Sequence, residues 1–441
     1  MSRAATLVAV AGGAIGVIFG YDIGSVSGVI PGIQHDFRAD DLLASTVNTV
    51  VVLGQVVGAV LAGKLSDALG RRRTVTAVSV GYTLLAVAQA VAPTIVALDV
   101  VRALLGVTVG VSMVAAPLFV AETAQARQRG RLVALYQVAV VGGLFLAYLT
   151  DYFLAVGDNW RLMLGLPAVP AFAVLCVVLA LPESPRWLVL MGRTDEARQV
   201  LADIEPGVDA ASTITAITAD AARERGGRLR HLFLPSQRRA TVFIVCLGVF
   251  AQITGINAIT YYSPAIFTHL GFSSADASFG LATANQFCAV LATVAGLAVI
   301  DRLGRRVTLL TGLALMAVAA TGLAVATGVA SSSAWFGFAM VVLFTGAFNG
   351  GFGSVIWVYP SEVFSVRLRA LGASVMLASA LIANSVVAEL FLWAVSRLGG
   401  SFVFGFFAAT TVLAIIFIVW LAPETSGRAL EEAGLAEQPK C

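Results

Sequence analysis

Charge is what this chain has least of. Asp, Glu, Lys and Arg make up only 12% of its 441 residues, about half the share of an ordinary soluble domain. With 59% of the residues hydrophobic, a soluble fold of this length has too little polar surface to cover its apolar content, so a water-soluble globular protein is excluded. Lysine is nearly missing, present only at Lys64 and Lys440 beside many arginines, which points to a GC-rich bacterial source. The three histidines (His35, His231, His269) are unclustered. The four cysteines (Cys176, Cys246, Cys288, Cys441) have no close spacing, and three of them lie in apolar runs. They read as space-filling thiols, not as a disulfide frame or a metal site. No nucleophile triad, metal-ligand spacing or phosphate loop is present. The chain is therefore expected not to be an enzyme, and to use no cofactor, no metal and no nucleic acid.

What the chain does have is long apolar runs. About 20 apolar residues cross a bilayer as a helix, and twelve such runs occur, near 5–30, 44–69, 74–92, 97–121, 132–155, 162–181, 240–268, 276–300, 307–329, 335–360, 371–396 and 402–422. The first resembles a secretory signal but is too long and contains Asp22, so a retained span is expected. The class is an all-α polytopic membrane protein. Arginines follow the even spans, at 71–73 after span 2, 127–131 after span 4, 302–306 after span 8 and 367–369 after span 10. The opposite loops carry Asp36, Asp40, Asp41 and Asp158. By the bias of basic residues toward the cytoplasm, both termini are expected inside the cell.

One connection is different. Residues 184–239 turn polar and helix-forming, with alternating charges among Ala and Leu (RTDEARQVLADIE), as in short amphipathic helices in the cytoplasm. This segment divides an N-terminal six-span half (1–183) from a C-terminal one (240–422), with a cytoplasmic tail at 423–441.

The halves repeat one another. LSDALGRRRT at 65–74 matches VIDRLGRRVT at 299–308, AET at 121–123 matches SEV at 361–363, and PESPR at 182–186 matches PETSGR at 423–428. Parallel six-span repeats put a substrate site at the bilayer midplane between the halves. The repeated acids and arginines sit at cytoplasmic helix ends, where ion-pair networks can hold the inner side shut. The expected gate set is Asp67, Arg71, Glu122, Arg129 and Glu183 in one half, and Asp301, Arg305, Glu362, Arg369 and Glu424 in the other.

On these motifs, together with FGYDIGSVSG in span 1, QITGINAITYYSP in span 7 and WVYPSEVF in span 10, the chain resembles the sugar porters of the major facilitator superfamily. The resemblance touches nearly every span. It implies an alternating-access carrier of two six-helix pseudo-symmetric halves joined by a cytoplasmic helical linker. It also implies a cell-membrane location (the inner membrane of a bacterium), a sugar substrate and a monomer in the lipid bilayer.

Asp22 is the residue that needs a purpose, because an ionisable group inside a span is costly and functional by default. Arg102, in the apolar run of span 4, is the expected partner. Apolar surroundings favour the protonated acid and a guanidinium favours the carboxylate, so a changing Asp22–Arg102 distance couples proton affinity to conformation. The resemblance supports this, since that acid with that arginine is similar to the proton-driven symporters. Phe19, three residues earlier on the same helical face, is expected to line the path.

A sugar needs amides for its hydroxyls and an aromatic face for its C–H surface. Intramembrane amides at Gln137, Gln252, Asn257, Asn285 and Asn384, with Trp357 after the glycine-rich GAFNGGFGSVIW, form the expected site. The resemblance implies Gln137, Gln252, Asn257 and Trp357 as sugar contacts. Three usual contact positions fall instead on Ala251, Ala289 and Ala380, which implies weak hexose binding or room for a bulkier ligand. The expected function is proton-coupled uptake of a monosaccharide, hexose or pentose. The alternatives are a proton-independent facilitator, which has no use for Asp22, and a sugar sensor, which calls for a longer tail.

Overall fold

The computed structural model describes residues 3–123, 129–154, 159–204, 209–224, 229–272, 274–329, 332–357, 359–364 and 368–421. Among them the chain is helical, without a strand. The first half contains α1 (Arg3–Phe37), α2 (Asp41–Leu69), α3 (Arg71–Ala90), α4 (Ile95–Thr123) and α5 (Arg129–Leu154). Its sixth crossing is split at Pro167 into α6 (Trp160–Gly165) and α7 (Ala168–Leu179). Four short helices follow: α8 (Pro185–Leu190), α9 (Thr194–Ile204), α10 (Ala210–Glu224) and α11 (Leu229–Leu232). The second half opens with α12 (Pro235–Ile253) and α13 (Ile256–His269), then α14 (Ala275–Leu303) and α15 (Arg305–Gly328). Next come α16 (Ala334–Ala347), a π-helical turn at Phe348–Phe352, α17 (Gly353–Ile356) and α18 (Tyr359–Val363). The last two helices are α19 (Arg369–Leu398) and α20 (Gly400–Leu421).

Eleven helical segments among the described residues are long and apolar enough to cross a membrane. The expected span missing from that set is α3, a 20-residue helix that opens on three arginines and buries Thr74, Ser79, Tyr82 and Gln89. Its polar face points into protein, so hydropathy understates it. The glycine-rich break expected in the tenth span is the π-helical turn FNGGF.

Close helix packing follows from glycine spacing. A Cβ on Gly54 or Gly58 of α2 falls 2.3 or 2.1 Å from a carbonyl oxygen of α4, and one on Gly106 or Gly110 falls 2.1 or 2.2 Å from a carbonyl of α2. The two backbones therefore touch, which in lipid is how helices gain association energy. The internal repeat is visible in the turns as well. Gly70 between α2 and α3 has φ +98°, and Gly304 between α14 and α15 has φ +83°, in the same position of the repeated GRR motif. Only glycine adopts such φ readily. These turns and helices α8–α11 mark the linker end of the bundle; the turns after α1, α13 and α19 mark the far end.

Candidate substrate and proton site

Asp22 lies in mid-α1, 1% exposed, and Arg102 in mid-α4, fully buried. They do not form the direct pair the sequence suggests. Arg102 acts on Asp22 through its charge, yet its hydrogen bonds go elsewhere: Nε donates to the Val47 carbonyl (2.9 Å) and Nη1 to Gln89 Oε1 (3.2 Å). Gln89 in turn donates Nε2 to the Leu164 carbonyl at 2.6 Å. Neutral acceptors on α2 and α3 therefore hold the guanidinium, and Asp22 Oδ1 has no hydrogen-bond partner. The Tyr82 hydroxyl stands beside the carboxyl, and Phe19 is partly buried against the first-half core.

The seventh crossing breaks where its motif puts a glycine. Gly255, at φ +98°, is packed against Phe407 so tightly that a Cβ falls 2.4 Å from the ring. The break brings Asn257 Nδ2 onto Gln252 Oε1 at 2.6 Å. Asn384 Nδ2 donates to the Tyr261 hydroxyl (2.9 Å) and Asn285 Nδ2 to Thr345 (3.3 Å); each keeps an unpartnered buried oxygen. Gln137 is partly exposed on α5, and Trp357, at the end of α17, is 42% exposed. Ala251, Ala289 and Ala380 are at most 1% exposed, each packed inside the bundle.

At the linker end, Arg71 gathers most of the first-half gate set. Its Nε donates to Glu122 Oε2 and its Nη1 to Asp67 Oδ1, both at 2.9 Å. Glu122 also accepts from Ser184 Oγ (2.6 Å), and Glu183 accepts from the Arg72 amide (2.8 Å). This cluster ties α2, α3 and α4 to the start of α8. The reason is geometric, since the GRR turn and the PESPR segment share that end. In the second half, Arg369 Nε donates to the Phe364 carbonyl at 3.1 Å, and Arg305 opens α15. The side chains of Arg129, Asp301 and Glu362, and the whole of Glu424, lie outside the described residues.

At the far end the halves bond to each other. Asn48 Nδ2 donates to the Tyr262 hydroxyl (3.3 Å), Thr49 to Glu389, Tyr148 to the Thr260 carbonyl, and Thr283 to the Tyr148 carbonyl (3.0 Å). Beyond this seam a cavity of about 670 Å³ opens, with Ser27, Gln34, Asp41, Trp160, Tyr262 and Phe391 in its wall. None of the seven expected substrate residues lines it.

Several of these groups lie outside the motifs that single out the expected site. Gln89 and Asn48 are intramembrane amides, and Asp99, Asp151 and Glu389 are intramembrane acids. The rule that singled out Asp22 applies to all three acids; Asp151 is fully buried with Ser27 Oγ as its hydrogen-bond donor at 3.3 Å.

Two packed helical halves, bonded across one end and carrying charge and amides in the interior, define a membrane carrier. The family model for sugar (and other) transporters matches residues 5–435. The chain belongs to that family. It is 34% identical over 431 residues to YncC of Bacillus subtilis, named only for metabolite transport, covering 95% of this chain and 91% of that one. It is 33% identical to the galactose-proton symporter of Escherichia coli (strain K12), over 94% and 90% of the two chains. Among solved structures, the proton:xylose symporter XylE of E. coli, bound to 6-bromo-6-deoxy-D-glucose, superposes with a TM-score of 0.83 at 26% identity, covering 98% of each chain.

Proposed function

We propose that this chain imports a monosaccharide, hexose or pentose, together with protons by alternating access. The observation that carries this reading is Asp22: a carboxyl wholly inside the bundle, within the field of a wholly buried guanidinium that does not neutralise it by contact. A static ion pair has no such separation. The symporters of galactose and xylose among its relatives support the same class.

In this reading residues 1–183 and 240–422 are the two moving halves, 184–239 their cytoplasmic linker and 423–441 a cytoplasmic tail. The linker end faces the cytoplasm, as the arginine bias supports, and the hydrogen-bonded seam closes the outer side. Sugar binds between the halves near the Gly255 break, with Gln137, Gln252, Asn257, Asn285 and Asn384 as hydrogen-bonding groups, Trp357 as stacking face and Phe19 beside the proton path. Asp22 carries the proton; no cofactor enters the scheme, and the working unit is one chain in the bilayer. Arg71 with Asp67, Glu122 and Glu183, and Arg305 and Arg369 with their repeat partners, brace the inner ends of the helices.

Uptake of a panel of radiolabelled sugars into proteoliposomes, with and without an imposed proton gradient, tests this. A sugar concentrated only when the gradient is present is the expected result. Equal uptake without the gradient rejects coupling, and the absence of any transported sugar rejects the substrate class.

A further inference from the structure

We propose that Gln89 is a positioning residue of the coupling machinery. With the Val47 carbonyl it holds the Arg102 guanidinium off Asp22 while the far end is shut, so that the charge at Asp22 is tied to the position of α2. The proposal rests on Asp22 being the proton carrier.

A buried guanidinium with a carboxylate nearby ordinarily contacts it, because an unpaired buried charge is heavily penalised. Here the two observed bonds of Arg102 run to neutral oxygens on α2 and α3. Gln89 is fully buried, and both ends of its amide are committed, Oε1 to Arg102 and Nε2 to the Leu164 carbonyl. It therefore acts as a bracket between the sixth crossing and the guanidinium. The other anchor is mechanical. Val47 is followed directly by Asn48 and Thr49, whose side chains reach Tyr262 and Glu389 of the opposite half. The guanidinium thus grips α2 immediately beside the residues that shut the seam.

A turn of Arg102 toward Asp22 gives up the Val47 carbonyl and the Gln89 amide. In the cycle this follows loss of the proton, when the bare carboxylate attracts the guanidinium. The bond from Arg102 to the Val47 carbonyl is then released next to Asn48 and Thr49, which loosens the start of α2 where the seam closes. Reprotonation reverses the exchange. The charged and titratable groups around Asp22 are Arg102 from α4, Tyr82 from α3 and Tyr261 from α13. Asp99 faces Arg102 from one turn earlier on α4, and Asp151 of α5 acts on Tyr21 and Tyr148.

The test compares Gln89→Leu, Gln89→Glu and Asp22→Asn in proteoliposomes, reading the pH of half-maximal gradient-driven uptake and, separately, sugar counterflow. Gln89→Leu frees Nη1 for Asp22 and should move the half-maximal pH about one unit toward acid. Gln89→Glu is nearly isosteric, binds the guanidinium more firmly and adds negative charge, so it should move that pH toward alkali. Counterflow should persist in both. Opposite shifts are not expected of a residue that only packs. Shifts in the same direction, or none while counterflow is intact, overturn the proposal; if Gln89→Leu does not fold, the sign of the Gln89→Glu shift decides alone. Uphill uptake surviving in Asp22→Asn instead overturns the underlying proton assignment, whatever Gln89 does.

Discussion

The Thr49 hydroxyl on α2 donates to the Glu389 carboxylate on α19, a bond between helices 340 residues apart in sequence and in opposite halves. Its neighbour Asn48 makes the parallel contact to Tyr262, which also donates to the Ala388 carbonyl at 2.8 Å. These bonds fasten α2 to α13 and α19 where the halves must part.

Thr49→Val keeps the side-chain shape and removes the donor. Each such bond contributes on the order of 1 kcal/mol, more when the acceptor is charged, so the far-end-open population should rise about tenfold. Thiol labelling of a cysteine placed at Ser27 in the far-end cavity measures this. Unchanged labelling in both Thr49→Val and Glu389→Gln rules out a latch.

Asp22→Asn removes the titratable group and keeps its volume. Gradient-driven accumulation should be lost while counterflow continues. In the native protein, sugar uptake should rise as external pH falls, because the loaded carrier is the protonated one; in Asp22→Asn it should be flat across the same range. Accumulation that survives in the variant sinks the proton role.

Glu122 and Asp67 both contact Arg71 but are not equivalent, their side chains being 6% and 73% exposed. Glu122→Gln leaves a buried arginine without its buried partner and should cost on the order of 3 kcal/mol. Asp67→Asn should cost less than about 1 kcal/mol. Thermal unfolding in detergent separates them, and equal losses would refute the distinction. Glu122 also accepts from Ser184, so its loss should raise proteolytic access to the linker.

Sugar affinity should depend on Gln137 more than on the three alanines. Gln137→Ala should weaken binding about tenfold, the worth of roughly one hydrogen bond with its desolvation. Ala251→Gln puts a long side chain into a fully buried position and should lower stability by about 1–3 kcal/mol through overpacking, without tightening binding. Calorimetric titration with galactose and xylose checks both; tighter binding in Ala251→Gln shows that the position faces the ligand.

The crossings were legible because bilayer thickness imposes a length and lipid imposes hydropathy, and the repeat was legible because GRR needs a left-handed glycine in each copy. The α3 crossing was read from its Tyr, Leu and Val, although its polar face turns inward. Side-chain partnership was less legible. Arg102 stands out as the opposite charge inside an apolar run, but nothing local in VVRALLG says that its bonds go to a carbonyl and an amide on two other helices. Glu122 and Arg71 stand together in the repeated motifs, but a repeat shows which residues correspond, not that the bonds of Arg71 run to Glu122 and Asp67. Ala251 and Ala289 depart from the family pattern, and nothing local in the sequence shows that both are fully buried.

The two ends of the bundle are fastened by different chemistry, and salt should distinguish them. The far-end bonds named across the seam run from amide and hydroxyl donors, with Glu389 the one charged acceptor among them. The linker-end cluster consists of arginine–carboxylate pairs with solvent-facing members, Asp67 at 73% and Arg186 at 30% exposure. Mobile ions weaken exposed pairs over about 10 Å at ordinary ionic strength and leave neutral hydrogen bonds nearly untouched. In a sealed vesicle the seam between the halves should therefore respond to ionic strength less than the linker-end cluster, and the exposed Arg161–Asp36 pair within the first half is a salt-sensitive contact of the far end. Potassium chloride added on the linker side should change how long that end stays braced, whereas the same salt on the other side should leave the bonds across the seam nearly unchanged.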